Sequence, residues 1–403
     1  MRSDTRIPLL ILVCLGLGPP ATPAQRQGEI LDRQGSSPKA ADAGNTSQGM
    51  QTPVLGFVST GAQLRPLLGI PGASAVGEPF ALPAGVMGVH FEPHQNYALL
   101  SPTTGGGFIG LMTFQEEGEG AVISICGAIS QPDIVAFSPS GAVAVLYSNK
   151  EERLQVISGL PNSPELARTI PANDLPDEPR FLAIADDGVT LLEGTVQNAV
   201  YLLPQVGSPR FIHSLGDLQG MAFVPRTSDV AVFDREAGAA FLLQDVTGAS
   251  SYVPLAEGLT GLGGTVFLET SSASTVIAST ASSSLWQINL QSLNLENIHL
   301  PGMPQMLEPL RTSGDYLLFY RSGLPAWILD SNGGVGVVSL VPASTPPRMH
   351  PRPIPLAGSL GNANEQPDLV GRPDLAAGCA DVATPPKPPK PLSRPEPLPP
   401  RTY

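Results

Sequence analysis

The sequence is poor in cysteine, in charged side chains and in long apolar runs. Its 403 residues include three cysteines and only 14% charged residues. So few cysteines exclude a disulfide-rich scaffold, in which several bridges take the place of a large core. Beyond residue 24, no apolar run approaches the roughly 20 residues that a membrane-spanning helix needs. We therefore expect the chain after that point to be soluble and stabilised by a hydrophobic core.

Familiar catalytic and metal-binding motifs are also missing. No Gly-x-Ser-x-Gly, His-Glu-x-x-His or Cys-x-x-Cys pattern occurs. His90 and His94 are four residues apart, but they fall on a predicted strand and on the turn after it, so we do not predict a zinc pair. The stretch Asp186-Asp187-Gly188 lacks the further acidic positions of an EF-hand and is typical of a turn. The sequence thus predicts no catalytic, cofactor-binding or metal-binding residue.

Positive charge is scarce. The chain has 22 Lys and Arg against 35 Asp and Glu, which gives a net charge of −13. An acidic surface repels phosphate backbones, so we expect no nucleic-acid partner.

Glycine, proline and hydrophobic residues are plentiful instead. There are 43 glycines and 44 prolines, and 42% of the residues are hydrophobic. So many helix breakers leave no room for long helices, but they suit many short strands joined by turns. The hydrophobic fraction is sufficient for a substantial core.

The first 24 residues are organised like a secretory signal peptide. Arg2 and Arg6 precede a short apolar run over residues 7–17, and prolines and small residues follow. We expect cleavage after Ala24, with Ala21 as a fallback, and a secreted or periplasmic product. An uncleaved anchor is the alternative.

The cysteines bear on the same export hypothesis. Cys14 would be lost with the signal, which leaves Cys126 and Cys379. An oxidising compartment would allow these two to form a bridge that tethers the tail. Two separate thiols are the preferred interpretation, because Cys379 lies in a segment with no predicted structure.

The remaining chain divides into three parts by composition. Residues 25–52 are polar and predict a flexible lead-in, and residues 343–403 are proline-rich and predict a disordered, extended tail. Residues 53–342 form the body between them.

The body contains an internal repeat of short β-like runs separated by turn residues. Its alignment rests on six apolar anchor positions, which recur every 39 to 47 residues: Phe91, Phe137, Ile184, Phe223, Phe267 and Leu307. Propeller blades, each a four-stranded sheet, recur at about 40–45 residues. The stretches Ser138-Pro139-Ser140-Gly141 and Ala185-Asp186-Asp187-Gly188 predict tight turns in which glycine adopts positive φ.

We therefore predict an all-β β-propeller. Six full four-stranded blades are preceded by runs at 54–58 and 63–70, which predict a hairpin resembling the third and fourth strands of a blade. This hairpin would close the ring or form a partial seventh blade. A regular seven-bladed ring is the alternative.

The turns Phe137-Ser-Pro-Ser-Gly141 and Ala185-Asp-Asp-Gly188 resemble the SPDG turn of WD40-like and YVTN-type bacterial propellers. The body as a whole is similar to uncharacterised secreted bacterial propeller proteins. True WD40 repeats carry a Trp-Asp dipeptide, whereas Trp286 and Trp327 are followed by other residues. The resemblance implies the fold and no particular activity.

Two functions are consistent with these features. The first is an exported, non-catalytic binding or scaffold propeller in the cell envelope or outside the cell, which holds a protein, peptide or glycan. The second is a propeller hydrolase or lactonase with a metal site at the central axis. Three or more carboxylates or histidines at one mouth of the axis would favour the enzyme.

Overall fold

In the computed structural model, the described residues are 52–60, 63–102, 107–115, 118–271, 274–332 and 336–342, without the side chains of residues 115–121. Within them, 28 strands form seven sheets, and one short 3-10 helix covers Ala172–Asp174. No described residues form a helix long and apolar enough to cross a membrane.

The sheets are numbered in chain order. Sheet 1 contains β1 (Val54–Thr60), β2 (Gln63–Ile70), β3 (Ala73–Val76) and β4 (Phe80–Ala81). Sheet 2 contains β5 (Val86–Phe91), β6 (Tyr97–Pro102), β7 (Gly110–Gln115) and β8 (Gly118–Ser124). Sheet 3 contains β9 (Ile134–Phe137), β10 (Ala144–Ser148), β11 (Arg153–Ser158) and β12 (Glu165–Pro171). Sheet 4 contains β13 (Pro179–Ile184), β14 (Leu191–Thr195), β15 (Ala199–Leu203) and β16 (Arg210–Ser214).

The last three sheets are also four-stranded and antiparallel. Sheet 5 contains β17 (Leu218–Phe223), β18 (Val230–Asp234), β19 (Ala239–Gln244) and β20 (Ser251–Ala256). Sheet 6 contains β21 (Val266–Thr270), β22 (Ser274–Ser279), β23 (Ser284–Asn289) and β24 (Leu295–His299). Sheet 7 contains β25 (Glu308–Pro309), β26 (Asp315–Phe319), β27 (Ala326–Asp330) and β28 (Val337–Val341).

The core lies between neighbouring sheets and runs round a closed ring. Seven buried apolar clusters each join two neighbours, and two of them place sheet 1 between sheets 7 and 2. On one side, Leu55 and Leu67 pack with Leu317; on the other, Phe57 packs with Leu100. Each sheet thereby buries both of its faces, as a propeller requires.

This arrangement matches the seven-bladed alternative. The predicted N-terminal hairpin is the first two strands of a four-stranded sheet and not an added closing element. Sheet 1 is irregular, because β3 and β4 both pair with β2, at opposite ends of that strand. The hairpin therefore forms β1 and β2 of its sheet, whereas the sequence suggested third and fourth strands.

Hydrogen bonds from Gln95 also close the ring. Gln95 is fully buried in the turn between β5 and β6. Its Oε1 accepts from Phe57 N at 2.5 Å, and its Nε2 donates to Pro309 O at 2.9 Å. One side chain in sheet 2 therefore bonds to sheets 1 and 7.

The predicted turns hold, and two of the six anchors are displaced along their strands. Gly141 and Gly188 have φ values of +72° and +69°, as predicted. Five anchors pack toward the preceding sheet, but Phe267 packs toward the following one, with the cluster between sheets 6 and 7. Relative to the other four anchors, Leu307 is displaced by two residues and Phe267 by three. Side-chain direction alternates along a strand, so only the odd displacement reverses the face.

Cys126 follows β8 and is disulfide-bonded, which differs from the preferred interpretation of separate thiols. Cys14 and Cys379 lie outside the described residues, so the pairing of Cys126 with Cys379 stays a prediction. The signal peptide, the lead-in and the tail also lie outside the described residues.

Candidate functional site: the axial cavity

A cavity of about 570 Å³ lies along the axis of the ring. The first strands of sheets 2 to 7, and the turns that join them to the second strands, line it. Concave sites of this size are typical of small-ligand binding.

One position of the first strand sets the character of each wall. In five sheets this residue pairs with a partner nine positions later: His90, Ala136, Ala183, Ala222 and Glu308. In sheet 6 the corresponding residue is Glu269, which pairs with Val276 because the turn is two residues shorter. Sheets 3 to 5 thus present alanines, whereas sheets 6 and 7 present carboxyl groups.

Contacts between neighbouring sheets hold the turns at the mouth. Ser140 N donates to Asp186 Oδ1 at 2.7 Å, which joins sheets 3 and 4. The Tyr97 hydroxyl donates to Gly141 O, and Thr270 Oγ1 donates to Phe223 O. A ligand would therefore meet walls that are already positioned, which lowers the entropic cost of binding.

Glu269 and Glu308 create an electrostatic feature on one side of the cavity. Burial raises the pKa of Glu269 to about 8, and the nearby Glu308 adds to this rise. Burial also raises the pKa of Glu308. Removing a carboxylate from water disfavours its charged form, and a second carboxylate disfavours it further. Near neutral pH, most Glu269 side chains therefore carry a proton.

Tyr316 lies beside these carboxyl groups. It lines the cavity with only 3% of its surface exposed, and its hydroxyl makes no hydrogen bond to a described residue. Burial, and next the charge of Glu269, raise the pKa of Tyr316 further above its usual value, so the hydroxyl stays neutral.

The histidines considered from sequence do not form a metal site with each other. His90 and His94 both line the cavity, but the His90 ring contacts Ser101 Oγ at 3.1 Å. Burial lowers the pKa of His90. Among the described residues, no group of three or more His, Cys, Asp or Glu is placed to hold a metal ion.

Sequence reasoning missed Glu269, Glu308 and Tyr316 as candidate site residues. The sequence contained part of the information, because both glutamates lie within first-strand segments, where the repeats of sheets 3 to 5 have alanine. The Asp186 turn was interpreted as structural, and its bond to Ser140 agrees with that interpretation.

No protein-family model and no curated protein match this chain. Among solved structures, Kuenenia stuttgartiensis hydrazine synthase is 14% identical, covers 73% of this chain and 98% of that chain, and has a TM-score of 0.46. A functionally unknown protein from Desulfotomaculum acetoxidans is 14% identical, with coverages of 63% and 78% and a TM-score of 0.41. The nidogen/laminin complex is 15% identical, with coverages of 61% and 93% and a TM-score of 0.40. Such remote similarity says nothing of this chain's ligand.

Proposed function

We propose that the protein is an exported, non-catalytic binding module that takes its ligand, or one group of a protein, peptide or glycan partner, into the axial cavity. The observation that carries this proposal is the cavity itself. Its walls carry alanines on the first strands of sheets 3 to 5, carboxyl groups in sheets 6 and 7, and further polar groups from other sheets. A concave pocket that combines apolar surface with convergent polar groups is the usual form of a ligand site.

The number of carboxyl and imidazole groups in the cavity meets the criterion that would favour the hydrolase, but their placement favours binding. His90, His94, Asp186, Glu269 and Glu308 line the same cavity. They come from four sheets, and in the part of the chain that the structure describes no three are placed to share one metal ion. A lactonase-type metal centre would need at least three such ligands.

The disulfide at Cys126 supports the export half of the proposal, because such bonds persist in oxidising compartments. The resemblance of the repeats to secreted bacterial propellers supports it too. We expect protein isolated from the producing cell to begin at Gln25, after cleavage behind Ala24. Mass spectrometry of the N-terminal peptide would show this. A chain that retains Met1 would contradict cleavage and favour the anchor.

Closing the mouth should abolish binding. Ser140 and Ser313 are exposed turn residues that line the cavity in sheets 3 and 7. We expect the double variant Ser140→Trp/Ser313→Trp to lose at least tenfold in affinity for whatever the mature chain retains from native envelope extract. Affinity mass spectrometry would measure the retained species.

Ser250→Trp is the matched control, because Ser250 is also exposed but does not line the cavity. It should retain the same species as the unmodified chain. If the double variant retains them equally well, the ligand binds elsewhere and the cavity proposal is wrong.

A further inference from the structure

Glu269 and Glu308 lie on the first strands of adjacent sheets and face the same cavity. The corresponding residues of sheets 3 to 5, Ala136, Ala183 and Ala222, carry no polar side chain. The cavity therefore has an acidic wall formed by the two carboxyl groups and an alanine-lined wall beside it.

No described residue forms an ion pair with either carboxyl group of this acidic wall. The ion pairs among the described residues join Arg153 with Glu151, and Arg180 and Arg235 with Asp217, and none involves either glutamate. Both carboxyl groups are half-buried, and a carboxylate held partly away from water is costly unless it is protonated or paired with a cation. A cation supplied from outside would stabilise the charged form in place of the proton.

Tyr316 provides a second and independent observation. The Tyr316 side chain lies on the acidic wall and is almost entirely buried, and its hydroxyl has no hydrogen-bond partner among the described residues. Polar groups of buried side chains almost always have a partner, from the protein or from bound water. A polar ligand group bound between the two glutamates would supply the missing partner.

We propose that Glu269, Glu308 and Tyr316 bind an organic cation, a primary ammonium or a guanidinium, at the end of a ligand whose apolar part lies against the alanine-lined wall. This inference rests on the proposed function, since it names the chemical class of the ligand for the same cavity. A metal ion is a poorer fit, because no three metal-ligating side chains converge in the part of the chain that the structure describes.

The test compares probes that differ only in charge. Nα-acetyl-arginine amide and Nα-acetyl-lysine amide carry a cation, and Nα-acetyl-citrulline amide is a neutral isostere of the first. Isothermal titration calorimetry with the full mature chain should show at least tenfold tighter binding of one or both cationic probes than of the citrulline probe.

Substitutions then locate the interaction. Glu269→Gln/Glu308→Gln should weaken cationic probes at least tenfold and leave the citrulline probe unchanged, and Tyr316→Phe should weaken the cationic probes several-fold. Glu193→Gln is the matched control, because Glu193 is another buried carboxyl group but does not line the cavity. It should leave all three affinities unchanged.

Proton release gives a readout that does not depend on any variant. A bound cation favours the charged form of Glu269, whose pKa burial raises to about 8, so binding should release a proton. The charged and titratable groups around it are Glu308 and Tyr316, with Asp315 behind Tyr316, and four others line the cavity: His90, His94, Asp186 and Arg226. Titrations in buffers of different ionisation enthalpy should show release with cationic probes and none with the citrulline probe.

The outcomes separate this inference from the proposed function. Equal binding of charged and neutral probes, lost in Ser140→Trp/Ser313→Trp, would refute the cation and keep the cavity as the site. Absence of binding by every probe would also refute the cation, and the extract experiment would still decide the cavity. Cation binding that survives Glu269→Gln/Glu308→Gln would refute the assignment to these residues.

Discussion

Replacing Gln95 with alanine is expected to destabilise the propeller by about 3–5 kcal/mol, since each buried backbone group left without a partner costs about 1–3 kcal/mol. Two backbone groups would lose their partner, the buried Phe57 N and the half-buried Pro309 O, together with the packing of a fully buried side chain. Gln95 already has a φ of +49°, which alanine tolerates no better, so relief of strain would not offset the loss.

The effect should concentrate where the ring closes. No strand from one end of the described chain completes a sheet begun at the other, because every sheet consists of consecutive strands. Sheet 1 is therefore held between its neighbours by apolar packing and by the bonds of Gln95 and Arg311, whose backbone N donates to Leu55 O at 3.1 Å. We expect the amides of β1 and β2 to exchange faster in the variant, ahead of those of sheets 3 to 5.

Differential scanning calorimetry and hydrogen exchange would measure both effects. The melting temperature should fall by roughly 10 °C, since 1 kcal/mol corresponds to about 2–4 °C in domains of a few hundred residues. Gln205→Ala is the control, because Gln205 is exposed and should change stability by less than about 0.5 kcal/mol. If both variants melt alike, apolar packing alone closes the ring.

Gln95 also shows where sequence reasoning ends. The repeats were predictable because strand alternation and turn chemistry are local: Gly141 and Gly188 mark their turns within a few residues. The partners of Gln95 are 38 and 214 residues away along the chain, and no local pattern indicates them. Closure by a whole seventh blade was therefore harder to predict than the six repeats that followed it.

The candidate site failed to emerge for a related reason. Glu308 and Glu269 are recognisable in the sequence as carboxyl groups in predicted strands. Whether their side chains point into the axial cavity depends on the exact pairing register of those strands. The turn between the first two strands of sheet 6 is two residues shorter than the corresponding turns of sheets 2 to 5 and 7. Aligning the repeats by sequence similarity therefore matched Phe267 to anchors whose side chains point to the other face of the sheet. Which side chains meet at the axis could not be known before the register was known.

A further buried carboxyl group has no evident role in the site, and it bears on stability. Glu193 lies in β14 and packs between sheets 3 and 4, fully buried, with neither carboxyl oxygen in a hydrogen bond. The corresponding position in sheets 2, 3, 5 and 6 is aliphatic: Leu100, Leu146, Val232 and Ile277. Burial raises the pKa of Glu193 to about 8; the nearby backbone N–H of Asp177, which lies outside normal hydrogen-bond geometry, opposes this rise, and the charge of Asp177 adds to it.

The sign of the pH effect follows from this pKa. Well below pH 4.5, the ordinary pKa of the group, Glu193 is protonated in both the folded and the unfolded chain, so its ionisation does not affect folding. As the pH rises toward 8, the unfolded chain loses this proton while the folded chain keeps it, so the free energy of unfolding decreases. The full penalty, on the order of 3–5 kcal/mol, is reached above pH 8.

Glu193→Leu should therefore stabilise the propeller at every pH, because it removes an unpaired polar group, and by several kcal/mol more at pH 8.5 than at pH 4.5. Glu193→Gln should remove the pH-dependent part and keep the cost of an unpaired polar group. Other buried acids, such as Glu269, give a slope of the same sign, so the measurement is the difference between variant and unmodified chain in urea unfolding at each pH. The exposed Glu257→Gln is the control and should give a flat difference near zero. A flat difference for Glu193→Leu as well would mean that the Glu193 carboxyl group is solvated in the folded chain, and its assigned place between sheets 3 and 4 would be wrong.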